Sequence, residues 1–203
     1  MDWKHSRRSP YLHSASHMHP APVEPAAPSP AVRLFRPLAY AWLKLTRFKV
    51  IGAMPAVPKF VIIANPHTTN WDLPYTLAAG LHYGVRVNWV GKATLFRWPF
   101  SGLMRWLGGL SIDRSRSASV VTAIVDTFAG AERIALVIAP AGTRSATAPW
   151  KSGFYHIAHG ADVPLVLAFI NYRTRTIGIA GVLRPTGDYD ADLAAIHTMY
   201  ANV

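Results

Sequence analysis

The alternation of strands and helices along most of this chain predicts an α/β fold, a mostly parallel central sheet flanked by helices. Three observations carry that expectation. β-Branched runs such as KFVIIA (59–64) and IALVIAP (134–140) read as buried strands. Segments with helical periodicity, about a dozen residues long, separate them, as in βαβ units. A length of 203 residues, 51% of them hydrophobic, suffices for one core and little more.

Taken in order, residues 1–31 are expected to form a disordered tail. Proline at 20, 22, 25, 28 and 30 removes backbone donors and fixes φ. The opening MDWKHSRRSPYLHSASHMHP lacks the apolar run of a signal peptide, and no fold holds His5, His13, His17 and His19 around a metal. The folded domain is expected over 32–203. From Val32 to Lys49, Arg33, Arg36, Tyr40, Lys44 and Arg47 recur on one helical face and Leu34, Leu38, Trp42, Leu45 and Phe48 on another. Such a basic, Trp-bearing helix either lies on a membrane surface through residues 33–48 or packs its apolar stripe on the core; a helix at the edge of a site does both.

Strand 59–64 is followed by a helix over about 72–83, a strand at 86–90, a helix over 96–107 broken near Pro99, and a short strand at 110–113. Residues 117–130 read as helix, 134–140 as the strongest strand, and 153–160 as helix. Two strands at 163–170 and 176–182 precede a final helix at 190–200. The stretch LFRWPFSGLMRWLGGL (95–110), with Phe96, Trp98, Phe100, Met104 and Trp106, is read as core packing in a protein that handles lipid. Nowhere do ~18 uninterrupted apolar residues form a membrane-spanning candidate. Ligands of parallel sheets gather beyond the carboxyl ends of the strands, so the chemistry is expected just after Ala64, Val90, Asp113 and Pro140.

Charge and composition narrow the classes. Lys and Arg number 21 against 10 Asp and Glu, a net +11, which favours an anionic partner: a membrane surface, nucleic acid, a phosphorylated substrate or an acidic carrier protein. The charges are scattered and no groove-reading or base-stacking motif appears, so nucleic acid is not the expected partner. Absence of cysteine excludes disulfides, thiol catalysis, iron–sulfur clusters and Cys-ligated zinc.

One constellation sits at a predicted strand end: Asn65-Pro66-His67-Thr68-Thr69-Asn70-Trp71-Asp72. Asp72 is the only carboxylate between Glu24 and Asp113, a span holding ten Lys and Arg. An Asp five residues after a His, across a strand-to-helix turn, can reach the imidazole Nδ1–H and leave Nε2 free as a base. The bland alternative makes Asp72 a helix N-terminal residue favoured by the macrodipole and His67 a turn residue. Nine His and eight Asp make such a spacing common by chance. No G-x-S-x-G elbow and no Cys supply a nucleophile, so the base would activate a hydroxyl of the substrate itself. His67, His82 and Asp72 lack a further closely spaced ligand, so no metal is expected, and His82, His156 and His159 read as structural.

Further blocks follow: Gly91-Lys92 with Leu95-Phe96 and Pro99; Gly109 with Ile112-Asp113-Arg114; Pro140-Ala141-Gly142-Thr143-Arg144-Ser145; Lys151-Ser152-Gly153; and Val163-Pro164-Leu165. In this order, over roughly 58–172, they resemble the glycerophospholipid acyltransferase family, typified by bacterial 1-acyl-glycerol-3-phosphate acyltransferase. The resemblance implies acyl transfer to an alcohol from acyl-CoA or acyl-acyl-carrier-protein as co-substrate, with no bound cofactor. His67 would be the general base and Asp72 its orienting acid. Ala141, Gly142, Thr143 and Arg144 would bind the acceptor, with Lys92 and Arg114 adding positive charge for its phosphate or for the donor. A guanidinium at Arg144 suits bidentate phosphate binding. The resemblance and the absent signal together imply peripheral association with the cytoplasmic face of a membrane. The chain departs from the pattern at Ala141, where the family carries Glu. That leaves open a different acceptor, a weakened or inactive lipid-binding homologue on the same fold, or a deliberate inactivating substitution.

Overall fold

The computed structural model describes residues 29–112, 117–142, 148–201 and 203. Along them run α1 (Pro30–Leu45), β1 (Lys49–Ile51), β2 (Lys59–Ala64), α2 (Asp72–His82), β3 (Val87–Lys92), a 3₁₀ turn (Ala93–Phe96) and α3 (Ser101–Trp106). Then follow β4 (Gly109–Ile112), α4 (Ser117–Gly130), β5 (Ile134–Ile138), α5 (Gly153–Gly160), β6 (Leu165–Asn171), β7 (Thr176–Leu183) and α6 (Tyr189–Ala201). The described strands form a sheet in the order β1-β7-β6-β2-β5-β3-β4. Every neighbouring pair is parallel except β6 with β7. The α/β expectation with a mostly parallel sheet is therefore met.

β2 shows why its sequence is unbroken in hydrophobicity. Val61 and Ile63 pack on one side with Phe128 of α4, Phe154 of α5 and Ile196 of α6. Phe60 and Ile62 pack on the other with Val87 and Leu77. A strand covered on both faces has no polar alternation to display. On the second side α2 sets Tyr75, Ala78 and Ala79 against Ala39 and Leu43 of α1 and Ile170 and Ile177 of the sheet. Opposite, buried Asp192 pins the start of α6, accepting from the Tyr155 hydroxyl at 2.7 Å and the Thr186 amide at 2.7 Å.

Four local expectations need correction. The tail assigned to 1–31 lies outside the described residues as far as residue 28, and its last two residues are helical. Ser29 accepts from the Val32 amide at 3.4 Å, and Pro30 stands where a helix needs no donor. β1 was not foreseen, because three residues beside a helix end carry no periodicity. The buried stripe of α1 is Val32, Ala39 and Leu43, whereas Leu34, Leu38 and Leu45 of the anticipated apolar face point outward, Leu45 with 79% of its surface exposed. The helix carries two apolar stripes, and the narrower one packs closely on α2.

The largest correction concerns 95–110. The helix expected over 96–107 is a 3₁₀ turn ending at Phe96 and a six-residue α3 that buries none of its residues. Proline at 99 interrupts the chain before α3. Phe96 reaches the core, while Leu95, Trp98, Phe100, Leu103 and Trp106 are exposed, Trp98 at 92%. From Trp98 to Trp106 the stretch is not core packing.

Candidate active site

The loop after β2 curls around one carboxylate. Asp72 opens α2, where the helix dipole favours negative charge, and its side chain is almost wholly buried. Its Oδ2 accepts the Thr68 amide at 2.8 Å and the Thr69 amide at 3.1 Å, which folds the loop back toward the helix start. The same oxygen lies 2.8 Å from His67 Nδ1. Oδ1 accepts the Tyr172 hydroxyl at 2.6 Å.

Burial alone would raise the Asp72 carboxyl. The hydrogen bonds from His67, Tyr172, Thr69 and Thr68 outweigh it and hold the group below its ordinary value of 3.8. An ionised carboxylate only accepts, so His67 Nδ1 carries the shared proton, and Nε2 is the ring nitrogen that can serve as a base in the neutral imidazole. Burial, reinforced by Asp72, pushes the Tyr172 hydroxyl well above the ordinary tyrosine range, which keeps it a donor.

The pair borders a cavity, partly open to solvent, between α2 and the sheet. Asp72, Thr76, Ala79, Gly80 and Tyr83 form its helix wall, the one-face spacing of an α-helix. Ile62, Ala168, Ile170, Ile177 and Ile179 form the sheet wall, and Asn65, Pro66 and His67 lie at its carboxyl-edge end. At the other end the Tyr83 hydroxyl is turned to the Ile51 carbonyl at 2.7 Å, and burial raises it to about 12. Apart from His67 and Asp72 the lining is mainly hydrocarbon. Such a lining suits hydrocarbon, with the His67 imidazole at one end.

Of the sequence-derived residues, His67 and Asp72 meet directly. Ala141 and Gly142 follow β5, the parallel neighbour of β2, and so share the same sheet edge. Gly142 has φ of +66°, a left-handed conformation that suits glycine, and its amide donates to the Ala139 carbonyl at 3.0 Å. Lys151 Nζ lies 3.8 Å from where a β-carbon at this glycine would stand. Lys92 ends β3 on that edge, its side chain outside what is described. Arg114, Thr143 and Arg144 lie outside the described residues. Among the structural histidines, His159 stacks on Tyr155 at 6.1 Å and His82 tilts against Tyr40 at 4.8 Å.

Tyr172 was missed. It stands at the carboxyl end of β6, next to β2, so the strand-end rule applied to that strand would have found it. Its ring is held at 5.8 Å from Phe48 and 5.8 Å from Tyr75.

Comparison with known proteins agrees with this architecture. The chain is 34% identical over 126 residues to 1-acyl-sn-glycerol-3-phosphate acyltransferase of Salmonella typhimurium, covering 59% of this chain and 49% of that one. It is 32% identical over 126 residues to the Escherichia coli K12 protein of the same name, with the same shares covered. The chain thus spans about half the length of these curated relatives. The crystal structure of the 1-acyl-sn-glycerophosphate (LPA) acyltransferase PlsC from Thermotoga maritima shares the fold at a TM-score of 0.58 and 14% identity, over 85% of this chain and 76% of that one. The sequence profile of the Acyltransferase family matches residues 47–170, from the end of α1 to β6 and across the whole His67–Asp72 loop: the chain belongs to that family.

Proposed function

We propose that this chain transfers a fatty acyl group from acyl-CoA or acyl-acyl-carrier-protein to a hydroxyl of a lysophospholipid-like glycerophosphate acceptor. His67 Nε2 takes the hydroxyl proton, and the alcohol oxygen attacks the thioester carbonyl as that proton leaves. The tetrahedral intermediate collapses by breaking the carbon–sulfur bond, and the departing thiolate takes the proton back from the imidazolium. Ester and free thiol are the products, and no acyl-enzyme forms. Asp72 keeps the imidazole in the tautomer that presents Nε2 and stabilises its protonated form. The acyl chain lies in the apolar cavity. Gly142, Thr143 and Arg144 receive the acceptor phosphate beside Ala141, with Lys92 and Arg114 supplying further positive charge.

The observation that carries this reading is an imidazole, oriented by an ionised buried acid, at the carboxyl-edge end of a hydrocarbon-lined cavity. The names of the relatives support the acceptor class. Residues 33–48 are proposed to rest on the cytoplasmic face of the membrane that supplies the acceptor, and the exposed Leu34, Leu38 and Leu45 support that placement. Among the described residues no helix is long and apolar enough to cross a membrane.

Ala141 favours one second reading, a lipid-binding homologue without activity. Purified protein assayed with acyl-CoA and 1-acyl-glycerol-3-phosphate separates the two. On the catalytic reading, His67→Ala lowers turnover by at least about a thousandfold, in line with loss of a general base that also positions the reacting oxygen. Equal rates for wild type and variant would dispose of it.

A further inference from the structure

The exposed segment Leu95–Trp106 is the largest feature that the cavity and the His67 loop leave unused. A six-residue helix gains little from its own hydrogen bonds, and α3 buries no residue to compensate. Leu95, Trp98, Phe100, Leu103 and Trp106 nevertheless stand in solvent, an unusual concentration for a water-facing surface. The patch is not isolated. Trp106 meets Phe35 of α1 edge-on at 5.2 Å, so the segment adjoins the helix whose outward stripe is Leu34, Leu38 and Leu45.

Its charge identifies the occupant. Arg97 and Arg105 are exposed among the apolar side chains, as are Arg33 and Lys44 on α1 and Arg47 just after it. Between Asp72 and Asp113 there is no carboxylate at all. Aromatic side chains interleaved with arginine, without acids, match the boundary between acyl chains and anionic headgroups. A protein partner would instead find few acidic groups with which to exchange ion pairs. The segment also begins at the end of β3, on the same sheet edge as the His67 loop.

We propose that Leu95–Trp106 is a second membrane-contacting surface, continuous with α1, which inserts Trp98, Phe100 and Leu103 into the headgroup region of an anionic bilayer. This goes beyond the acyl-transfer reading and does not depend on it, because binding is measured without any reaction.

The test uses the full chain with vesicles of phosphatidylcholine alone and of phosphatidylcholine mixed with phosphatidylglycerol. Wild type is expected to float with the mixed vesicles and far less with the neutral ones. Combined Trp98→Ser, Phe100→Ser and Leu103→Ser should weaken partitioning by about tenfold or more, while Arg97→Glu with Arg105→Glu should erase most of the preference for phosphatidylglycerol. Since the chain has no cysteine, Leu103→Cys accepts a single environment-sensitive dye, whose emission should shift to the blue on the mixed vesicles even if the triple variant fails to fold. Wild type that ignores both vesicles, a folded triple variant that binds like wild type, or a dye that stays in water would each overturn the proposal. So would loss of self-association in the triple variant with vesicle binding intact, which would make the face a contact between proteins.

Discussion

Replacing Tyr172 with Phe removes one oxygen and keeps the ring packed between Phe48 and Tyr75. That oxygen donates at 2.6 Å to Oδ1 of a carboxylate only 4% exposed. The other donors to Asp72, from His67, Thr68 and Thr69, all fall on Oδ2, so the substitution strips Oδ1 of its protein donor. Hydrogen bonds to charged groups contribute about 1.5–3 kcal/mol, and Tyr172→Phe should destabilise the fold by an amount in that range at neutral pH. The pH dependence has a definite sign. Asp72 has a folded pKa below 3.8, so its stabilisation is present above that value and is lost as the pH falls through the lower folded one. The stability gap between wild type and variant should therefore be full at neutral pH and close in strong acid. In the transfer assay a carboxylate freed at one oxygen holds the imidazole less firmly, and about 1.4 kcal/mol felt in the transition state is tenfold in rate. The expected outcome is kcat reduced about three- to tenfold with KM little changed. The Asp72 carboxyl, having lost one of the hydrogen bonds that lower it, should titrate at a higher pH in the variant than in wild type. Lower stability with kcat untouched would reduce Tyr172 to packing, and no change in stability, kcat or the Asp72 titration would refute the hydrogen bond itself.

Two further outcomes follow from the geometry. Thr76 lies one helical turn beyond Asp72, about 6 Å along the cavity wall, so Thr76→Phe should block the deeper part of the cavity. Measured against acyl donors of graded length, it should shift preference toward short chains by about tenfold or more; an unchanged length profile would place the acyl chain elsewhere. Gly108 has φ of +86°, and a β-carbon there would stand 2.2 Å from the Val87 carbonyl oxygen. Gly108→Ala combines left-handed strain with a backbone clash and should cost about 2–4 kcal/mol, a Tm loss on the order of 5–15 °C by thermal denaturation.

Legibility in the sequence tracked the range of the forces involved. β2 and β5 could be read because burial on both faces leaves a continuous apolar run, KFVIIA and IALVI. The meeting of His67 with Asp72 was legible because it is settled within one turn, at a strand end where ligands are expected. α1 was half legible: its amphipathic character could be read, but not which stripe packs, since Ala39 and Leu43 are buried against Tyr75, Ala78 and Ala79 of α2, a neighbour the local sequence does not reveal. The aromatic stretch at 95–106 misled because hydrophobic composition argues burial, whereas Pro99 and the short α3 leave the side chains no core to enter. Tyr172 stands where the strand-end rule points, but its pairing with Asp72 was not legible, since the two lie 100 residues apart and only strand order brings them together.

That order has a kinetic corollary. β2, which leads into the His67 loop, takes both its neighbours, β5 and β6, from far downstream. Closing such wide loops is entropically costly and slow. Until the chain beyond Asn171 has docked, Asp72 lacks the Tyr172 hydroxyl. The His67–Asp72 pair is thus among the last parts of the molecule to reach its final arrangement, and a ribosome-bound or truncated chain ending before that point already displays its oily helix.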